Sequence, residues 1–123
     1  MDFNLINVVE KPWGREIHFA LEGEYVGKIL EVKGGQRLSL QYHKRKKETM
    51  YLIKGRIRLT LGDEVEELGV GKSVTLAPGV THRVEALEDS QIIEVSTNHL
   101  EDVVRLEDDH GRHISSKSAT RRQ

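Results

Sequence analysis

The amino-acid sequence predicts a small all-β protein, a barrel or sandwich of antiparallel strands, and three observations support this prediction. Short runs with β-like composition recur at regular spacing, and glycine-rich turns separate them. Polar and apolar residues alternate within several runs, which is the side-chain period of a strand. A length of 123 residues leaves room for one domain only. The predicted strands are Glu16 to Ala20, Tyr25 to Val32, Arg37 to His43, Thr49 to Lys54, Arg56 to Leu61, Ser73 to Leu76, His82 to Ala86 and Gln91 to Ser96.

The end of the chain differs from this pattern. Only Leu100 to Leu106 shows a short helical periodicity, so we expect a short helix or turn there. From His113 onward the chain is polar and lacks periodicity. We therefore predict one domain over residues 1–112 and a disordered polar tail over residues 113–123.

Composition narrows the function classes. The 19 basic residues nearly balance the 20 acidic ones, so no global field draws the chain to nucleic acid or to an anionic membrane. No apolar run approaches the roughly 18 residues of a membrane helix. The chain has no cysteine, which excludes disulfides and thiolate metal sites and makes a cytoplasmic location the expectation. We read the basic run Lys44 to Lys47 as a solvated loop or as part of a pocket.

The strand predicted at Arg37 to His43 has two distinct faces. Arg37, Ser39, Gln41 and His43 share one face, and Leu38, Leu40 and Tyr42 share the other. If the polar face lines the interior of a barrel, the apolar face needs a cover. We therefore predict that a second sheet or a second subunit covers it, and that the chain forms a homodimer.

Two segments contain glycines and candidate metal ligands at spacings that indicate a metal site. In the first, Gly35 is followed by Gln41, His43, Glu48 and Gly55. In the second, Gly71 is followed by Ala77-Pro78-Gly79 and then His82. An amide oxygen, a carboxylate and two imidazoles suit one divalent cation, with Zn²⁺ favoured and Mn²⁺, Fe²⁺, Co²⁺ or Ni²⁺ as alternatives. The remaining histidines, His18, His99, His110 and His113, show no partner pattern, and we predict that they are exposed.

These two segments resemble the two motifs of the cupin superfamily, with Gln41 where many cupins have a histidine. Leu38 to His43 with Glu48, together with Lys11-Pro12-Trp13-Gly14, Ile93-Glu94-Val95 and Asp102-Val103-Val104-Arg105, is similar to the cupin domain of type II mannose-6-phosphate isomerases. The resemblance implies a jelly-roll barrel. It departs from the family at Lys46, where the family has arginine, and at Met50, where it has an aromatic residue.

The resemblance further implies a metal-dependent aldose–ketose isomerase that acts on a sugar phosphate through an enediolate. Glu94 is a candidate general base, alongside Glu48 and a metal-bound hydroxide. Lys46 and Arg105 are candidates for binding phosphate or stabilising the anion, and Arg37 for reaching the pocket; the alternative role of each, a surface ion pair, is the more common one for such residues. Two other functions stay open: a cupin that binds a small ligand without turnover, and an Fe²⁺ dioxygenase.

Overall fold

A computed structural model describes residues 1–114, and this range folds into β-strands without a helix. Nothing in this range has the helical length and apolar character needed to cross a membrane. Residues 115–123 of the predicted tail lie outside the described residues, and the domain boundary at residue 112 stays a prediction. The strands are β1 (Asn7–Lys11), β2 (Gly14–Leu21), β3 (Tyr25–Val32), β4 (Leu40–Tyr42), β5 (Glu48–Lys54), β6 (Ile57–Leu61), β7 (Glu64–Leu68), β8 (Ser73–Leu76), β9 (His82–Ala86), β10 (Ser90–Thr97) and β11 (Val104–Glu107).

The strands form two antiparallel sheets that pack around one core. One sheet has the order β1-β2-β3-β10-β5-β8, and the other has the order β11-β4-β9-β6-β7. Leu30, Leu52 and Ile92 from the first sheet contact Ile57 and Val84 from the second in a single buried cluster. The predicted all-β class is therefore confirmed. Alternate residues of both sheets point inward and supply the apolar interior.

Of the short helix or turn predicted at Leu100 to Leu106, the structure contains the turn and not the helix. A turn occupies Leu100 and Glu101, and Val104–Glu107 is β11, which pairs with β4. A short apolar run fits either period, and the open edge of β4 decides in favour of a strand. The sequence prediction also missed β1 and the edge strand β7. Four of the five residues of β7 are exposed, so it shows no buried face that a pattern could reveal.

The predicted alternation from Arg37 to His43 is interrupted. Arg37 pairs with Glu85, whereas Gln41 pairs with His82. In a regular antiparallel pair the two residue numbers have a constant sum, but here the sum changes from 122 to 123. One extra residue therefore lies between Arg37 and Gln41. Leu38 and Ser39 both line the interior beside Gln41, so the extra residue interrupts the alternation just after Arg37. Arg37 consequently forms an exposed ion pair with Asp109 instead of reaching the pocket, and Leu38 packs against the core.

The two sheets differ on their outer faces. On the six-stranded sheet, Ile29, Ile93 and Tyr51 lie side by side in register, and Val95 is 48% exposed beside them. On the five-stranded sheet, Arg58 and Glu85 form an ion pair on the outer face, and Leu40 and Tyr42 are partly buried. An exposed apolar row therefore lies on the six-stranded sheet, which does not carry Leu38, Leu40 and Tyr42.

A glycine turn joins the two motif segments. Gly79 has a φ of +86°, a conformation that favours glycine, and its N–H donates to the carbonyl of His43 at 2.7 Å. The predicted Pro78-Gly79 turn thus ends directly before β9, and His82 is the first residue of that strand. Local chain direction therefore brings His82 towards His43.

Candidate metal centre

Three predicted ligands meet in the interior between the sheets. His43 follows β4, while Glu48 begins β5 and His82 begins β9. Their side chains are almost fully buried, and the candidate ligand atoms all lie within 4.8 Å of one another. Glu48 Oε1 is 3.0 Å from His43 Nε2 and 3.5 Å from His82 Nε2. The two motif segments thus converge on one carboxylate oxygen.

Backbone carbonyls fix the orientation of both imidazoles. His43 Nδ1 donates to the carbonyl of Asp102 at 2.5 Å, and His82 Nδ1 donates to the carbonyl of Val80 at 2.9 Å. A carbonyl can only accept, so each Nδ1 carries a proton, and each ring in its neutral form presents an Nε2 lone pair to Glu48. Burial lowers the pKa of His82, and this effect outweighs the opposing hydrogen bond to Val80 and the charge of Glu48.

This arrangement places hydrogen-bond acceptors against one another. His43 Nε2 is buried and has no hydrogen-bond partner. Two imidazole lone pairs and a carboxylate repel one another unless a positive charge lies among them. A divalent cation supplies that charge, and nitrogen and oxygen donors of this kind are common zinc ligands. The residues present therefore fit a metal ion.

Gln41 lies beside this cluster. It pairs with His82 across β4 and β9, and it lines a cavity of about 10 Å³ together with Glu48 and His82. Its Oε1 accepts a hydrogen bond from Ser39 Oγ at 2.8 Å. A carbonyl oxygen has a second lone pair, so this bond leaves Gln41 able to act as the fourth ligand.

Lys46 and Glu94 extend the cluster. Lys46 Nζ is 3.0 Å from Glu94 Oε2 and 3.7 Å from Glu48 Oε2, and all three side chains are buried. Burial and the neighbouring Glu48 raise the pKa of Glu94, against the smaller effects of Lys46 and Lys28. Burial also opposes ionisation of Glu48, but His43 and Lys46 hold its pKa below the usual range. Of the two carboxyl groups, Glu94 is thus the one that takes up a proton more readily.

Asp102 organises the basic loop, a role that the sequence analysis missed. Its carboxylate accepts backbone N–H groups from Lys44, Arg45 and Lys46 at 2.9, 2.7 and 2.9 Å. Burial would raise the pKa of Asp102, but these donors bring it below its usual value. Because the Asp102 carbonyl also holds His43, one residue fixes the loop and a candidate ligand. Lys44, Arg45 and Lys47 are exposed, and only Lys46 turns inward.

A cavity of about 190 Å³ adjoins the cluster. Gln41, His43, Lys46 and Glu94 line one end, so the cavity reaches the predicted ligands. Arg105 lines it as well, together with residues that the sequence analysis did not select: Lys11, Glu16, His18 and Lys28. Only 11% of the His18 side chain is exposed, and His99 and His110 are partly buried, so the prediction that these histidines are exposed is wrong. His113 is exposed as predicted.

Comparison with known proteins identifies the family. A family model described as "Mannose-6-phosphate isomerase C-terminal" matches residues 2–108. The chain belongs to this family. It is 37% identical over 109 residues to mannose-1-phosphate guanylyltransferase ManC of Salmonella typhimurium, a match that covers 85% of this chain and 23% of that protein. It is 34% identical over 109 residues to the xanthan biosynthesis protein XanB of Xanthomonas campestris, with the same coverage.

Solved structures agree with the fold of the family. An RmlC-like cupin from Shewanella frigidimarina matches with a TM-score of 0.74 and 15% identity, covering 82% of this chain and 94% of that one. KdgF from Halomonas sp. matches with a TM-score of 0.70 and 19% identity, covering 74% and 84%. These likenesses confirm the cupin fold. The chain spans about a quarter of the length of its curated relatives, so their whole activities do not transfer to it directly.

We predict that Asp102→Ala loosens the loop before Glu48. Hydrogen exchange at the Lys44, Arg45 and Lys46 amides should become at least about tenfold faster, and the free energy of unfolding should fall by about 1–3 kcal/mol. Hydrogen-exchange NMR and urea denaturation measure the two effects. Glu101→Ala, at an exposed neighbouring residue, is the control. Unchanged exchange in Asp102→Ala would contradict the assigned role of Asp102.

Proposed function

We propose that the chain is a metal-dependent isomerase that interconverts an aldose phosphate and a ketose phosphate. One observation carries the proposal: the buried cluster of His43, Glu48 and His82 adjoins, through His43, a small polar cavity that Lys46, Glu94 and Arg105 also line. Membership of a family described by mannose-6-phosphate isomerase supports the choice of substrate class.

The metal site in this proposal consists of Gln41, His43, Glu48 and His82. A divalent cation held there supplies a positive charge that polarises a substrate carbonyl group. Two imidazoles, one carboxylate and one amide favour zinc, with manganese, iron, cobalt or nickel as alternatives. The carbonyls of Asp102 and Val80 keep both imidazoles aimed at the site, so little reorganisation is needed when the cation binds.

Glu94 is the proposed general base. Its raised pKa places it close to the range in which a carboxylate both takes and returns a proton near neutral pH. It removes the proton from C2 of the open-chain aldose, or from C1 of the ketose, and delivers it to the other carbon, while the hydroxyl proton on the deprotonated carbon passes to the former carbonyl oxygen. Lys46, 3.0 Å from Glu94, holds the base in place and offsets negative charge on the enediolate. Arg105 faces the same cavity and is a proposed phosphate ligand.

A second candidate is a cupin that binds a small ligand without turnover. Its relative ManC is named for guanylyltransferase activity and not for isomerase activity, and this chain spans only 23% of ManC. In that case the cluster and the cavity hold a ligand, and Glu94 has a binding role only.

The isomerase proposal predicts measurable turnover of mannose 6-phosphate in a coupled assay that detects fructose 6-phosphate. Glu94→Gln should lower kcat at least about 100-fold, because the amide cannot accept the proton, while metal content stays unchanged. Glu31→Gln, on the outer side of the neighbouring strand β3, should retain activity.

Full activity of Glu94→Gln would show that another group is the base. Absence of turnover in metal-loaded wild-type chain, with mannose 6-phosphate and other aldose phosphates, would contradict the isomerase proposal and favour the ligand-binding candidate. Oxygen uptake by an iron-loaded sample would instead favour the dioxygenase.

We also propose that two copies of the chain associate through the outer face of the six-stranded sheet. Its apolar row of Ile29, Ile93 and Tyr51 would otherwise face water. The adjacent row pairs Arg15 with Glu31 and ends at Lys54, so both signs of charge surround the patch. A two-fold contact suits such a surface, because it presents the same patch from both sides.

We predict a sedimentation mass of twice 14.0 kDa for the wild-type chain. Val95→Glu should weaken association at least about 100-fold, since it buries an unpaired carboxylate in the contact. Val65→Glu, an equally exposed position on the edge strand β7, should remain dimeric. A monomeric wild-type chain, or a dimeric Val95→Glu variant, would contradict this contact.

A further inference from the structure

The end of the cavity remote from the candidate metal ligands contains a second group of charged residues. Glu16 and His18 lie two residues apart on β2, and Lys28 on the neighbouring strand β3 pairs with His18. Glu16 Oε1 is 2.9 Å from His18 Nε2 and 3.2 Å from Lys28 Nζ. The three side chains are only 8–14% exposed, so this is an interior cluster and not a surface ion pair.

Basic groups surround Glu16. Lys11 on β1 and Arg105 on β11 line the same cavity, and both interact electrostatically with the Glu16 carboxylate. Burial alone would raise the pKa of Glu16, but Lys28, His18 and Lys11 together bring it below the usual value. Glu16 is therefore a carboxylate among three basic side chains, Lys11, Lys28 and Arg105, and one imidazole. Asp108 also acts on Arg105, but the basic side chains still outnumber these two acidic ones, and this suits an anion.

The position of this cluster relative to Glu94 matches an extended ligand. Glu94 pairs with Lys28, and Lys28 pairs with His18, so the three side chains form one row across β10, β3 and β2. Neighbouring strands lie about 4.8 Å apart, which places His18 roughly 10 Å from Glu94. A sugar whose reacting carbons lie at Glu94 would extend its far end towards Lys28 and His18.

We propose that Glu16 determines specificity by acting as an internal anion: its carboxylate occupies the basic end of the cavity, and a phosphate monoester binds there by competing with it for Lys28 and His18. The chain thus holds its buried cations in place without ligand, and phosphate must displace a bonded carboxylate to enter. This inference deepens the proposed function, because it assigns the phosphate end of the ligand. It depends on ligand binding in the cavity and not on turnover.

The alternative role for Glu16 is to accept hydrogen bonds from sugar hydroxyl groups. The two roles predict opposite effects of Glu16→Gln, an isosteric change. An internal anion repels phosphate, so its neutralisation strengthens phosphate binding. A hydroxyl acceptor instead contributes to sugar binding, so its loss weakens the binding of a sugar phosphate and leaves inorganic phosphate unaffected.

The experiment is calorimetric titration of the zinc-loaded full chain with inorganic phosphate and, separately, with mannose 6-phosphate. Glu16→Gln should bind inorganic phosphate at least about tenfold more tightly than the wild type, since one repulsive charge is removed at close range. Lys28→Met should bind it at least about tenfold more weakly. Glu31→Gln, whose carboxylate pairs with Arg15 away from this cavity, should bind as the wild type does. Circular dichroism confirms folding of each variant.

Imidazole NMR signals locate the binding site in the wild-type chain, which keeps the test independent of the variants. Phosphate should shift the His18 signals and leave those of exposed His113 unchanged. Unchanged or weaker phosphate binding by Glu16→Gln, or unshifted His18 signals at saturating phosphate, would overturn the inference. Failure of the isomerase assay alone would leave these binding results intact, so the two proposals are tested separately.

Discussion

The site depends on one electrostatic constraint, the convergence of two imidazole lone pairs on a buried carboxylate. The carbonyls of Asp102 and Val80 hold the rear nitrogens of His43 and His82, so neither ring can turn away from Glu48. In a water-excluded interior, such a group of acceptors is unfavourable unless it binds a cation or a proton. A cation bound among these groups would offset that cost.

Stability and function depend on different regions of the space between the sheets, the apolar core and the polar cavity. Leu52, Ile57 and Ile92 belong to the apolar core, which lies between the sheets beside the polar cavity. The polar interior groups are paired with one another, as in Lys46 with Glu94 and Lys28 with Glu16. Removal of one partner from such a pair is expected to cost more than removal of both, because the remaining charge stays buried without compensation. Variants at these positions therefore need folding controls.

Sequence reasoning recovered the features that depend on local spacing. The period of two, the turn at Gly79 and the separation of His43 from Glu48 are all short-range signals, and the three buried ligand candidates follow from them. It missed the roles of Asp102, Glu16 and Lys28, because their partners lie in other segments of the chain: the loop after β4 for Asp102, and the neighbouring strand for Glu16 and Lys28. It misplaced Arg37 for a related reason: one extra residue interrupts the alternation before Gln41, and no periodic pattern reveals it.

Metal analysis of the chain, combined with titration of zinc into metal-depleted protein, tests the central claim most directly. The account predicts one divalent cation per chain in the wild type and in His113→Ala. It predicts at least about a 100-fold loss of zinc affinity in His82→Ala, because that variant removes an inward-facing nitrogen. Wild-type protein that takes up no divalent cation, or a His82→Ala variant that binds zinc as tightly as the wild type, would contradict it.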